Sequence, residues 1–352
     1  MRISLTLILL LLSGSIMSAQ TAAPQTVSRA NSQQSSNNLP TLSPQQLGAL
    51  KEINDLNATV AKFYSEKKYD EAMSKAEKAV QIAEANTLFE VGRGANTLFN
   101  LAEIYLAKKR SGEAANLFER AITVYEKANN AAAQAQILER LAGLQITTST
   151  GKAEKNLLKA LALRESIKNG QSAEAVNTLL RIAIFYNYIA KPEKAEVFYQ
   201  RATELSNKVY KPEDKEYNTA FNRYQCWAYQ NKGYQAGSKY ISDYAEKANL
   251  NHSTQMPKDR LVETNVVNGK AIKLARPLYP PEAKAIRVGG VVLVQVLINE
   301  EGKVVQAETT CGYDVFAREA ERSALESKFT PTLLNNQPVK VNGVIVYNFV
   351  AQ

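Results

Sequence analysis

The sequence predicts a multidomain chain: an all-α solenoid of helical hairpins followed by a small α+β domain. Three observations carry that prediction. Alanine pairs seven residues apart recur at steps of 42, 39 and 42 residues. Ala, Leu, Glu and Lys dominate from about Leu47 to Leu250 with apolar positions at helical spacing. Beyond about Asn268 the pattern changes to β-branched runs separated by Gly-centred turns.

The chain begins with a segment that reads as a secretory signal. Arg2 supplies a positive start, Leu5 to Leu12 form an apolar run broken only by Thr6, and a weaker stretch continues to Met17. Ser18 and Ala19 then offer a cleavage site before Gln20. The run falls short of the roughly 20 residues that span a bilayer, so residues 1–19 are expected to be removed on export. Residues 20–45, rich in Gln, Ser, Asn, Thr and Pro, lack apolar periodicity and read as a polar tether.

The repeats occupy residues 46–250. The alanine pairs are Ala72/Ala79, Ala114/Ala121, Ala153/Ala160 and Ala195/Ala202, enclosing Ala76, Phe118, Leu157 and Tyr199. Nine residues before each first alanine stands Phe63, Tyr105, Leu144 or Tyr186. Small side chains let two antiparallel helices approach, and the bulky residue fills the gap from the partner helix. A lone hairpin cannot bury its apolar face, so hairpins must stack. Helix-breaking groups fall between the helices: Lys67-Lys68-Tyr69-Asp70, Arg110-Ser111-Gly112 and Ala190-Lys191-Pro192. This spacing resembles the tetratricopeptide repeat family, in a form of about 40 residues. A fifth, degenerate unit surrounds Trp227 and Gly233-Tyr234-Gln235-Ala236, with Asp243 at the second alanine position. Residues 251–268, polar and carrying Pro257, read as a linker.

Residues 269–352 form the second domain. Ala275 to Ala283 contains Tyr279-Pro280-Pro281, after which a short helix runs through Ala285 and stops at Gly289-Gly290. Val291 to Ile298 is a strand, Asn299 to Lys303 a turn with Gly302 at positive φ, and Val304 to Thr310 the returning strand. Tyr313 to Ser327 is an amphipathic helix presenting Val315, Phe316, Ala320 and Leu325 on one side. After Phe329-Thr330-Pro331 a Gln-Pro turn leads to a last strand, Val339 to Val350. The order, with Tyr279-Pro280, Gly290, the Gly302 turn, Phe316-Ala317-Arg318-Glu319 and Phe329-Thr330-Pro331, resembles the C-terminal domain of TonB over residues 272–350.

That resemblance implies a protein-binding module that meets outer-membrane transporters, a transporter peptide adding as a strand beside the last strand. The partner-binding positions it implies are Arg276, Tyr279, Pro280, Val344, Val346 and Asn348. Arg276 stands where the family usually has Gln. A TonB energy transducer also needs an inner-membrane helix, usually with a functional His, and a Pro-rich spacer. The apolar segment here holds no His, and hairpin repeats replace the spacer.

Composition narrows the remaining classes. The formal net charge is +9, but basic residues are interleaved with acidic ones, as in Glu66-Lys67-Lys68-Tyr69-Asp70-Glu71. No dense basic stripe with stacking aromatics points to nucleic acid. Most of the excess charge lies outside the C-terminal domain, so a basic repeat groove would suit acidic partner segments. The single histidine, His252, falls in the linker and leaves Ser/His/Asp or Cys/His catalysis without a base. No metal site, cofactor or catalytic residue is expected. Cys226 and Cys311 fall in different expected domains and read as two independent, partly buried thiols. The expected function is an exported periplasmic scaffold, its repeats holding one protein partner while the C-terminal domain docks another. The alternative is a transducer anchored to the inner membrane by an uncleaved N-terminus, the one segment that would contact a membrane. The oligomeric state is left open.

Overall fold

A computed structural model of the chain describes residues 40–214, 216–250, 270–286, 289–334 and 337–350. The expected signal segment, most of the tether and the expected linker lie outside the described residues. Two compact units divide between Lys211 and Pro212.

The first unit is built of four helical hairpins. The first pairs α1 (Pro44–Ser65) with α2 (Tyr69–Ala85), and the second α3 (Ala95–Ala107) with α4 (Ser111–Lys127). The third pairs α5 (Ala131–Gln145) with α6 (Thr150–Glu165), and the fourth α7 (Ala173–Tyr188) with α8 (Pro192–Val209). The second helix of each hairpin also packs on the first helix of the next, which makes the stack continuous. Ala72, Ala76, Ala79, Ala114, Ala121, Ala153, Ala160, Ala195 and Ala202 are all fully buried. Each alanine face therefore lies flush against its neighbour, where a larger side chain would force the helices apart.

The helix ends follow from local chemistry. Ser43 closes a capping box on α1: its Oγ accepts from Gln46 N at 3.2 Å, and Gln46 Oε1 accepts from Ser43 N at 3.1 Å. Pro192 opens α8 at a position whose N–H would be unpaired in any case. In three hairpins the first helix ends in one left-handed residue, Lys67, Lys109 or Ala190, at φ 59°, 61° and 55°. The next amide then bonds back to the carbonyl of Phe63, Tyr105 or Tyr186, at 2.8–2.9 Å. The recurring bulky residue thus fills the gap with its side chain and fixes the turn with its backbone.

The second unit holds α9 (Thr219–Lys232), α10 (Tyr234–Lys247) and the sheet domain. In the fifth hairpin the close-packed residue is Gly237, one position later than the expected Ala236, which is exposed. A Cβ at Gly237 would lie 2.8 Å from the Ala228 carbonyl oxygen, so only glycine fits there. Seven residues on stands Tyr244, edge-on to Tyr224 with 5.0 Å between centroids. Asp243 points out and pairs with Lys239 at 2.7 Å.

The sheet domain runs β1 (Ala271–Lys273), α11 (Pro281–Ile286), β2 (Gly290–Ile298), β3 (Val304–Cys311), α12 (Asp314–Leu325), β4 (Lys328–Phe329), β5 (Thr332–Leu334), β6 (Gln337–Val339) and β7 (Val341–Phe349). The main sheet is antiparallel in the order β3-β2-β7. Two small ladders were not expected: β1 with β4, and β5 with β6. Gln337-Pro338 lies within β6, opposite Leu334 and Leu333, rather than forming a turn. A two-stranded ladder leaves one side of each strand free, so a proline without an N–H is tolerated.

The two cysteines correct the sequence reading most sharply. Cys226 on α9 and Cys311 at the end of β3 form a disulfide, with Cα atoms 5.4 Å apart. As a residue of the fifth hairpin Cys226 reads as remote from Cys311, and the packing of α9 on the sheet domain brings the two together. Tyr229 covers Leu293 and Cys311 there, with Val291 alongside. Closing a loop across 85 residues of sequence removes enough unfolded-state entropy to contribute about 4–5 kcal/mol on a chain-entropy account.

Two outcomes are expected. Ala190→Gly relieves a left-handed alanine and raises stability by about 0.5–1 kcal/mol, read by urea denaturation. Gly302→Ala costs more than about 2 kcal/mol, because φ is +78° and a Cβ would lie 2.0 Å from the Phe329 carbonyl oxygen.

Candidate partner-binding surfaces

The β3-β2-β7 sheet has two unlike faces. One is packed by α11 and α12: Val292, Val294, Val296, Ile298, Ile345, Tyr347 and Phe349 meet Phe316, Ala320, Ala324 and Ala283. Phe316 and Phe349 stack at 4.1 Å. Tyr279 stands edge-on to both, at 5.7 and 6.3 Å, and Pro280 is buried. The Tyr-Pro pair therefore anchors the entry segment to the core at the end of β7. Arg276, three residues earlier, is exposed.

Val344, Val346 and Asn348 lie on the other face of β7, exposed. Across the ladder they sit opposite Gln295, Leu293 and Val291 of β2. Strand alternation enforces this, since Ile345, Tyr347 and Phe349 take the helix side. The six sequence-derived positions thus fall into two sets. Tyr279 and Pro280 join the helix-covered core, while Val344, Val346 and Asn348 share the open face. β7 pairs with β2 alone among the described strands, which leaves its outer side as the edge of the sheet.

Sequence reading missed a second feature, a ladder of charge inside the hairpin stack. Glu103 of α3 pairs with Arg140 of α5 at 3.1 Å. Next to Arg140 in sequence, Glu139 faces Arg164 of α6 at 3.5 Å and Arg181 of α7 at 3.8 Å, and it accepts a 2.6 Å bond from the Thr178 hydroxyl. Burial pushes the Glu103 carboxyl above the usual carboxylate range, against the opposing pull of Arg140. Burial also pulls the Arg181 guanidinium down; Glu139 counteracts this, and Arg140 and Arg164 add to it. Each of the three arginines faces a carboxylate: Arg140 faces Glu103, and Arg164 and Arg181 share Glu139. On the same helices Tyr186 donates a 2.8 Å bond to Glu154, and burial together with that bond raises its phenol to about 12. Glu and Arg on a helix give no sequence signal that separates these groups from solvated ones.

Stacked helical hairpins and a small sheet with an open edge at β7 define a class of protein suited to holding other proteins. Residues 57–127 match the family model described as tetratricopeptide repeat. Residues 275–350 match that of the Gram-negative bacterial TonB protein C-terminal. Both are non-catalytic interaction families, the second connected with transport at the cell envelope. No curated protein matches the chain. Among solved structures it is similar to nearly identical TPR-like repeats of kinesin-light-chain type from Podosopora anserina, at 14% identity and TM-score 0.47, over 59% of this chain and 97% of that one. A second structure of those repeats gives 16% and 0.46, over 60% and 100%. BtubC (BKLC) from P. vanneervenii gives 13% and 0.39, over 64% and 99%. No helix among the described residues is long and apolar enough to cross a membrane.

Arg140→Ala leaves Glu103 buried without its cation and should cost about 3 kcal/mol at pH 8. The sign of the pH dependence follows from linkage. A carboxyl raised in the folded state binds protons more tightly folded than unfolded, so stability falls as pH rises from the ordinary carboxylate value through the raised one. Removing Arg140 widens that window, and denaturation from pH 4 to 8 should show a deficit that grows with pH.

Proposed function

We propose that this chain is an exported scaffold of the bacterial envelope. Its hairpin stack holds one protein partner, and its C-terminal sheet docks a second by accepting an extended segment beside β7. The observation that carries the reading is the nine-residue β7 at the edge of the sheet, its outer side paired with no described strand. Such an edge presents a row of backbone donors and acceptors ready to pair with another chain. Val344, Val346 and Asn348 then offer side-chain selectivity on the open face, while the Tyr279-Pro280 anchor holds Arg276 near the domain entry. Outer-membrane transporters are the partner class that the matched domain suggests.

For the repeats, the excess of basic residues outside the C-terminal domain favours acidic partner segments. The N-terminal apolar run supports export, with a mature chain beginning near Gln20.

The docking test uses the full chain and extended peptides from the periplasmic termini of outer-membrane transporters. Binding is expected to slow amide exchange within residues 341–349, and Val346→Pro to weaken it at least about tenfold. Binding that leaves exchange in β7 unchanged would sink strand addition, and so would the absence of binding across the peptide set.

A further inference from the structure

The β2–β3 ladder ends at Leu293 opposite Cys311, so β2 extends past β3 through Gly290, Val291 and Val292. On that side the backbone of Val291 meets α9 instead of a strand. The Gln230 side chain satisfies it twice: the amide oxygen accepts from Val291 N at 3.1 Å, and the amide nitrogen donates to the Val291 carbonyl oxygen. A primary amide carries the same donor and acceptor as a peptide unit, so Gln230 stands where one residue of an added strand would pair. Gly290 makes the room: a Cβ there would lie 2.7 Å from Gln230 Oε1.

A second, independent contact holds the helix in place. Cys226 lies four residues before Gln230, on the same face of α9, and is bonded to Cys311 where β3 ends. Tyr229 buries Leu293 beside that bond. Farther along β3, Glu321 Oε1 accepts from Thr309 N at 2.8 Å. Side chains therefore occupy backbone groups of the sheet on the β3 side, while β7 shows no such contact among the described residues.

We propose that the α9–α10 hairpin is a disulfide-locked, built-in occupant of the β3 side of the sheet. In the oxidised chain it fills the strand-accepting position at Val291 and leaves the outer edges of the sheet, β7 among them, open to partners. Reduction of Cys226–Cys311 releases it. The lock forms when the two thiols give up two electrons and two protons to a disulfide-bearing oxidant, which leaves as a dithiol. It opens by the reverse exchange with a dithiol reductant, whose thiolate attacks one sulfur and whose second thiol resolves the mixed disulfide. The role of β7 rests on the strand-addition reading; the closure of Val291 does not.

The test takes the full-length protein through amide exchange without any partner, oxidised and then reduced with dithiothreitol. Thiol titration of the unreduced, denatured chain is expected to find no free thiol. Reduction is expected to speed exchange at Val291 and across residues 226–232 by about tenfold or more beyond any change in β7, with the helices of residues 72–121 unchanged. Gln230→Leu in the oxidised chain is expected to speed exchange at Val291 while the disulfide persists. Two free thiols before reduction would overturn the lock. Unchanged exchange at Val291 after both reduction and Gln230→Leu would overturn the occupancy. Neither result touches peptide binding at β7, which the transporter-peptide measurement reads separately.

Discussion

The structure depends first on how closely its helices approach one another. At Ala72, Ala79 and their alanine counterparts in the next three hairpins, the packed helices leave no accessible surface. That contact sets the spacing within each hairpin, and the stack inherits it because the second helix of one hairpin packs on the first helix of the next. The fifth hairpin tightens the same constraint to its limit, with Gly237 against the Ala228 carbonyl. Interiors packed at crystal-like density do not absorb an added methylene without shifting backbone, so these positions govern the geometry of everything built on them.

The same stacking decides the electrostatics. Once α3, α5, α6 and α7 are held side by side, Glu103, Arg140, Glu139, Arg164 and Arg181 have little access to water and must pair with one another. Pairing across helices favours one arrangement of the stack, because a shifted register would leave a buried charge alone. The pairing of these charges is thus a consequence of packing.

The C-terminal sheet treats its two sides differently. On one face α11 and α12 supply an apolar cover centred on Phe316 and Phe349. On the other, α9 reaches only the end of β2, where Tyr229, Gln230 and Cys226 meet Leu293, Val291 and Cys311. The long strand β7 keeps its edge. Three strands are few for a stable sheet, and the disulfide adds stability to this small domain without lengthening its core.

The sequence by itself determined what depends on near neighbours along the chain. The alanine spacing gave the four hairpins, the β-branched run of Val291–Ile298 gave the central strand, and Asn299–Lys303 gave the turn with Gly302 at positive φ. Each is governed by residues within a turn or two, where spacing and backbone preference act directly. The sequence also marked Tyr279 and Val344 as belonging to one domain, but strand alternation and the stacking of Tyr279 on Phe349 placed them on opposite sides of the sheet. Only the tertiary structure decided the Cys226–Cys311 bond, the Gln230 contact with Val291, the β1–β4 and β5–β6 ladders and the charge ladder of the repeats. Apart from β5–β6, these join residues roughly 25 to 85 positions apart, whose meeting is set by how whole elements pack, and no local pattern of side chains records which distant surface an element will meet.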